Sequence, residues 1–227
     1  MRIDILTLFP EMFEPLKQSI LGRAIENNLI EINLLEINVI NIRDFSTDKH
    51  KKCDDYTYGG GSGMLMTPQP IYDAMKSIPN YETAHKIYLS PCGEQLKQNR
   101  VKSLTNFDHL ILLCGHYEGV DQRIIDLLID EEISIGDYVL TGGELPAMVL
   151  IDSVARYIPG VLGNQESVVD ESFSSNNLEY PQYTRPVDFM GLKVPDVLVS
   201  GDHAKVDLWR KEQSEKITRQ RRPDLKI

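Results

Sequence analysis

Nowhere does the 227-residue chain carry an apolar run approaching the ~18–20 residues of a membrane span, so a transmembrane helix is excluded and no membrane partner is expected. Cysteine is scarce: Cys53, Cys92 and Cys114 are odd in number, far apart and never in Cys-x-x-Cys spacing. Neither a disulfide framework nor a zinc site is supported, and reduced thiols in the cytoplasm fit this usage. Positive charge is in deficit, with 24 Lys and Arg against 34 Asp and Glu and a formal net charge of −10. Long-range attraction of a polyanion is correspondingly weak. Residues 1–10 are too short and too alternating for a signal peptide and read as a first strand. What remains, 41% hydrophobic and 26% charged residues, is ordinary for a globular protein of one to two domains.

The charge deficit is uneven. Residues 1–160 hold 14 Lys and Arg against 23 Asp and Glu, and residues 161–227 hold 10 against 11. Within the latter, residues 209–227 carry 7 against 3 and include Arg219-Gln220-Arg221-Arg222-Pro223. A second basic cluster, Lys49-His50-Lys51-Lys52, lies in a long loop. Patches of this kind can contact phosphates on an acidic body, or stand as plain solvated faces.

Strand and helix patterns alternate along the chain. Residues 3–8, 30–40, 87–89, 110–114 and 133–135 are strand-like, the short apolar ones suiting buried parallel strands. Between them, residues 11–28 are helical in composition with an interruption near Pro15. Further helices are expected over 68–76 with Thr67 as N-cap, 95–104, 121–128 and 147–156 with Pro146 in the first turn. Such alternation predicts an α/β fold with an open, mostly parallel sheet covered on both faces. Beyond Arg156 the texture changes. The divisions expected are an α/β domain over 1–160, a flexible linker over 161–178 and a small, mainly helical C-terminal domain over 179–227. A helix from 204 to about 220, capped near Asp202, belongs to the last, where His203 and Trp209 read as packing and capping residues.

Three glycine-bearing loops follow successive strand ends: Leu89-Ser90-Pro91-Cys92-Gly93, Cys114-Gly115-His116-Tyr117-Glu118-Gly119, and the bend from Gly136 to Gly143. In doubly wound sheets ligands bind beyond those ends, so the three backbones are expected to converge on one pocket. The last bend suits a flat, uncharged ring gripped by main-chain groups. It is no phosphate cradle, because no Lys-Ser or Lys-Thr follows its glycines. A purely structural strand-to-helix turn is the alternative for this stretch. Another long loop, 43–64, ends in Gly59-Gly60-Gly61-Ser62-Gly63-Met64, where a planar molecule could approach closely; a plain connector is the alternative there.

These loops, together with Tyr88-Leu89-Ser90-Pro91, Ile135-Gly136-Asp137-Tyr138-Val139-Leu140, Gly142-Gly143-Glu144-Leu145-Pro146-Ala147, Arg156, Ile158-Pro159-Gly160-Val161-Leu162-Gly163, Tyr183-Thr184-Arg185-Pro186 and Arg221-Arg222-Pro223, resemble the bacterial tRNA (guanine-N(1))-methyltransferases of the SPOUT class nearly end to end. The resemblance implies a deep trefoil knot formed by the three loops, a rare exception to unknotted connections. It implies S-adenosylmethionine as cofactor and a homodimer whose active sites are shared between subunits. It also implies methylation of ring nitrogen 1 of the guanine immediately 3′ of the anticodon, tRNA position 37, when another guanine precedes it. By position the donor's contacts are Tyr88, Leu89, Ser90 and Pro91; Gly115, Tyr117 and Glu118; and Ser134, Ile135, Gly136, Tyr138, Leu140, Gly142, Gly143 and Pro146. Gly59, Gly60, Gly61 and Arg185 are carried over as tRNA contacts. Magnesium in catalysis is allowed by the resemblance and specified by no residue pattern.

Guanine N1 carries a proton at neutral pH, so a carboxylate must take it and a cation should stabilise charge on the 6-oxo oxygen. The resemblance gives these roles to a linker aspartate and a helix-end arginine. Arg156 matches the arginine, a bidentate group suited to the task. Counting without gaps from it puts Glu171 at the aspartate's place with Asp170 beside it, so the base lies between these two. Glu171 is favoured because Ser172-Phe173 follows it. Two smaller departures are Cys92 where glutamine is common and Ser62 where proline or alanine is common. The alternatives are a SPOUT methyltransferase acting on another RNA nucleotide, and a non-catalytic RNA-binding module. A phosphate-binding nucleotidase is disfavoured by the missing P-loop lysine.

Overall fold

In chain order the strands are β1 (Arg2–Thr7), β2 (Glu36–Asn41), β3 (Asp54–Asp55), β4 (Leu65–Met66), β5 (His85–Gln95), β6 (His109–Cys114), β7 (Glu131–Ser134), β8 (Asp188–Phe189) and β9 (Leu192–Lys193). The helices are α1 (Ser19–Glu26), α2 (Pro68–Lys76), α3 (Gln98–Leu104), α4 (Gln122–Leu128), α5 (Glu144–Ala155), α6 (Asp196–Val199) and α7 (His203–Arg221). This computed structural model describes residues 1–26, 35–162, 171–173 and 176–225. The chain divides into two units, 1–163 and 164–227.

In the first unit five strands form one sheet in the order β2-β1-β6-β5-β7, each pair parallel. Side-chain alternation sends neighbouring residues of β6 to opposite faces. Leu110, Leu112 and Cys114 join one core with Ile3 and Ile5, under α3, α5 and the 3₁₀ turn Pro10–Lys17. Ile111 and Leu113 join a second core with Leu6, under α2 and α4. Both faces are thus covered, which is why the central strands read as near-continuous apolar runs. The one fully buried acid in β1, Asp4, is held by His109 Nε2 (2.5 Å), Arg2 Nε (2.8 Å) and Asn38 Nδ2 (3.0 Å).

Several sequence expectations shift for identifiable reasons. The helix expected over 11–28 is a 3₁₀ turn followed by α1, because Pro15 has no N–H to continue a helix and Ser19 turns the backbone at φ 58°; residues 27 and 28 lie outside the described residues. Strand β2 begins at Glu36, and residues 30–34 of the expected strand also lie outside them. The run at 87–89 is the middle of an 11-residue β5. Within it Leu89 and Glu94 both pair with Ile133, so Ser90–Gly93 loops out where Pro91 cannot donate to a ladder. Helix α3 starts three residues late because Gln95 still pairs with Ser134. Thr67 precedes α2 as expected but makes no side-chain cap bond; with Pro68 and Pro70 at the first and third helical positions, the Gln69 N–H is the one donor left within capping reach.

The second unit contains the β8–β9 hairpin, α6 and the 19-residue α7. Asp202 caps α7 by accepting from the Lys205 N–H (3.2 Å). Along the helix, Ser214 and Thr218 bond the backbone of Leu178 at 2.6 and 2.9 Å, Arg210 lies over the Tyr180 ring, and Trp209 stands beside Tyr183. The apolar run at 197–199 falls within α6. Among the described residues no helix is long and apolar enough to cross a membrane.

Candidate active site

The carboxyl ends of β5, β6 and β7 open onto a single cavity of about 420 Å³. Its wall comes from the loop-out after Leu89, the loop after β6, the bend after β7, and Gln122 and Ile125 of α4. All the residues that the resemblance assigns to the donor lie in it: Tyr88, Leu89, Ser90, Pro91, Gly115, Tyr117, Glu118, Ser134, Ile135, Gly136, Tyr138, Leu140, Gly142, Gly143 and Pro146. Sequence reasoning missed others, including His116, Glu132 and Thr141. Gln122 and Ile125 carry one faint signal, an i,i+3 spacing that puts them on the same face of α4.

Backbone bonds lock the loops to one another. The Gly143 N–H donates to Gly115 O (2.8 Å), and His116 bridges Gly142 in antiparallel fashion. At Gly143 the chains approach so closely that a Cβ would lie 2.8 Å from Cys114 Cα and 3.0 Å from Gly115 N. Only glycine fits. On the other side the Glu118 N–H donates to Met64 O and the Met66 N–H to Gly119 O, both at 3.0 Å. The bend itself is pinned at its start, where the Gly136 N–H donates to Ser134 Oγ (3.2 Å) and the Tyr138 N–H to Gly136 O (2.9 Å). From Val139 to Thr141, however, no N–H donates to another backbone carbonyl among the described residues. Bare main chain of this kind, beside apolar side chains, suits a flat heterocycle.

Behind the wall sits a buried acid. Glu144, 1% exposed and first in α5, accepts from Thr7 Oγ1 at 2.8 Å. Its other oxygen is 3.9 Å from His116 Nδ1. The start of a helix is favourable ground for an anion, and this contact ties the end of β1 to the donor bend. Burial, helped by the Glu132 charge, pushes the Tyr88 phenol up to about 12, so it stays neutral. Burial, and then the Glu144 charge, raises the Cys114 thiol well above its usual range, as for an inert buried cysteine.

Of the other expected site residues, Arg156 is the half-buried residue closing α5, its N–H 3.4 Å from Asp152 O. Gly59, Gly60 and Gly61 are exposed between β3 and β4, with φ of 87°, 82° and 132°. Glu171 and the exposed Arg185 belong to the second unit. Asp170 lies outside the described residues. Among the described residues no group of three or more His, Cys, Asp or Glu is placed to hold a metal ion.

A family profile for tRNA (Guanine-1)-methyltransferase TrmD matches residues 1–227. The chain belongs to that family. The tRNA (guanine-N(1)-)-methyltransferase of Clostridioides difficile (strain 630) is 57% identical over 229 residues, 99% of this chain and 97% of its own length. That of Ruminiclostridium cellulolyticum is 58% identical over 228 residues, covering 99% and 96%. That of Lactiplantibacillus plantarum is 57% identical over 228 residues, covering 99% and 90%. Likeness to the tRNA (guanine-1)-methyltransferases therefore spans both units. As a member of this family the chain is an enzyme, and the cavity is the candidate seat of its chemistry.

Proposed function

We propose that the chain transfers a methyl group from S-adenosylmethionine to N1 of the guanine immediately 3′ of the anticodon, position 37, in tRNA. The observation that carries the reading is the cavity itself, in a member of a tRNA (guanine-1)-methyltransferase family. About 420 Å³, walled by three loops with an unused main-chain edge at Val139–Thr141, suits a nucleoside-sized donor. Bound there, S-adenosylmethionine supplies a methyl group already activated on a sulfonium. Leu89, Ile135 and Leu140, which line the cavity, would hold the base, and the main chain of the bend would bond its edge; Tyr88 lines the cavity beside Gly115.

The chain's remaining task is to make guanine N1 a nucleophile. Glu171 takes the N1 proton, with Asp170 the alternative base, while the Arg156 guanidinium bonds the 6-oxo oxygen as negative charge gathers on it. Gly59, Gly60, Gly61 and Arg185 contact the tRNA. The three interlocked loops form the trefoil knot, and the second unit, behind a linker over 161–178, acts as a small tRNA-contacting domain. The chain works as a homodimer with shared active sites in the cytoplasm. Supporting the dimer, α5 buries Ala147, Leu150, Ile151 and Val154 yet also exposes Leu145 and Val149, an apolar second face beside the cavity.

Nuclease digestion and mass spectrometry of tRNA transcripts incubated with chain and donor test the reading. The expected product is 1-methylguanosine at position 37, lost when that guanine or the one before it is replaced. Methyl on another nucleotide points to a different RNA target, and RNA binding without methyl points to a non-catalytic module.

A further inference from the structure

The glycine loop carries a feature to which the reading above gives no role. Tyr58 is fully exposed and Tyr56 is 80% exposed, in a chain that buries most of its large apolar groups. Tyr58 and Gly59 are the central residues of a turn closed by the Gly60 N–H on Thr57 O (3.4 Å), and Thr57 Oγ1 also reaches Gly60 O (3.3 Å). With φ 87° at Gly59 this has the shape of a type II turn, which demands glycine at its third position. A preset turn therefore holds the Tyr58 ring out in water, where it adds nothing to folding. Beside it, Gly59 and Gly60 have nothing within 4 Å of where a Cβ would stand, leaving a shelf without side chains. The loop returns through Met64 and β4, where Met64 O accepts from the Glu118 N–H and the Met66 N–H donates to Gly119 O, both residues of the cavity wall.

We infer that Tyr58 is a stacking platform for an unpaired nucleobase of the tRNA beside the nucleotide that enters the cavity. The inference rests on the methyltransferase reading and extends it. Charge decides between stacking and phosphate attraction as the loop's contribution. Lys51 is paired with Asp44 at 2.7 Å, Lys52 stands 3.9 Å from Asp55, and Arg123 is paired with Asp121 at 2.7 Å. Most of the nearby positive charge is thus answered within the chain, and the loop has little net attraction to offer a phosphate. A π-face needs no charge and accepts any base. Stacking an exposed ring also favours an RNA target over a protein one, because loop nucleotides present unstacked bases.

The test compares Tyr58→Leu and Tyr58→Phe in the full chain, measuring tRNA affinity by filter binding and donor affinity by calorimetry. Leu should weaken tRNA binding about tenfold, within the range for loss of one base stack. Phe should bind tRNA nearly as the unaltered chain does. Donor affinity and the sedimentation coefficient should stay unchanged in both. Undiminished tRNA binding by the Leu variant overturns the stack alone. So does a Phe variant as weak as Leu, which would assign the effect to the hydroxyl. A Leu variant that sediments differently shows the ring covered by a second copy of the chain, and overturns it too. Absence of tRNA binding by the unaltered chain overturns both this inference and the reading beneath it.

Discussion

Glu171→Gln is expected to slow single-turnover methyl transfer by at least ~10²-fold, the lower end of what a general base supplies. Glutamine keeps the size and hydrogen-bonding reach of the side chain but cannot accept the N1 proton. The nucleophile then stays in its protonated, unreactive form. Donor affinity should not change, because the substitution keeps the side chain's size and the residue is assigned to the N1 proton and not to the donor. The fall in rate should therefore appear in the chemical step and not in donor binding. The parallel variant Asp170→Asn decides between the neighbouring carboxylates. A large loss with Asn and none with Gln moves the base to Asp170, and no loss with either removes the linker carboxylate from the mechanism. Arg156→Lys should share the defect at the chemical step, since an ammonium cannot reproduce the planar two-donor fork of a guanidinium.

Gly143→Ala should remove donor binding and lower stability together. The new methyl would sit 2.8 Å from Cys114 Cα and 3.0 Å from Gly115 N, both backbone atoms at the end of the buried strand β6. No side chain can swing aside, so the bend must part from β6 and give up the 2.8 Å bond from the Gly143 N–H to Gly115 O. Overpacking of this sort costs ~1–3 kcal/mol. For a chain of this size the thermal midpoint should fall by roughly 2–12 °C. Calorimetry with S-adenosylmethionine, run well below that midpoint, should show the donor's heat lost in a protein whose circular dichroism is still native. Unimpaired binding by this variant would mean that the junction of the two loops is not part of the donor site.

How much of this was legible beforehand follows from the range of each interaction. The central strands announced themselves because parallel strands buried on both faces must be apolar throughout, as in Leu110-Ile111-Leu112-Leu113. Convergence of three loops could be argued from glycines at successive strand ends, since only those positions let backbones meet. The loop-out in β5 could not be placed, although Pro91 marked it, because its extent is set by a partner strand some 40 residues away in which Ile133 pairs twice. Nor was the bond from Thr7 to Glu144 readable, as it joins residues 137 apart. Glu144 lies in the Gly142–Ala147 stretch that the sequence marks, yet only the fold shows it bonded to β1 rather than lining the cavity. Thr67 shows the limit of local rules: its cap was inferred from residue type, yet with prolines one and three positions on only the Gln69 N–H is within capping reach, and the Thr67 side chain does not accept it. The roles of Arg156 and Glu171 came from the resemblance and not from spacing.

The most direct test of the central claim is a crystal structure of the chain with S-adenosylmethionine bound. The account predicts the donor in the cavity at the ends of β5, β6 and β7, its adenine against the main chain of residues 134–143. A donor lodged anywhere else would contradict it.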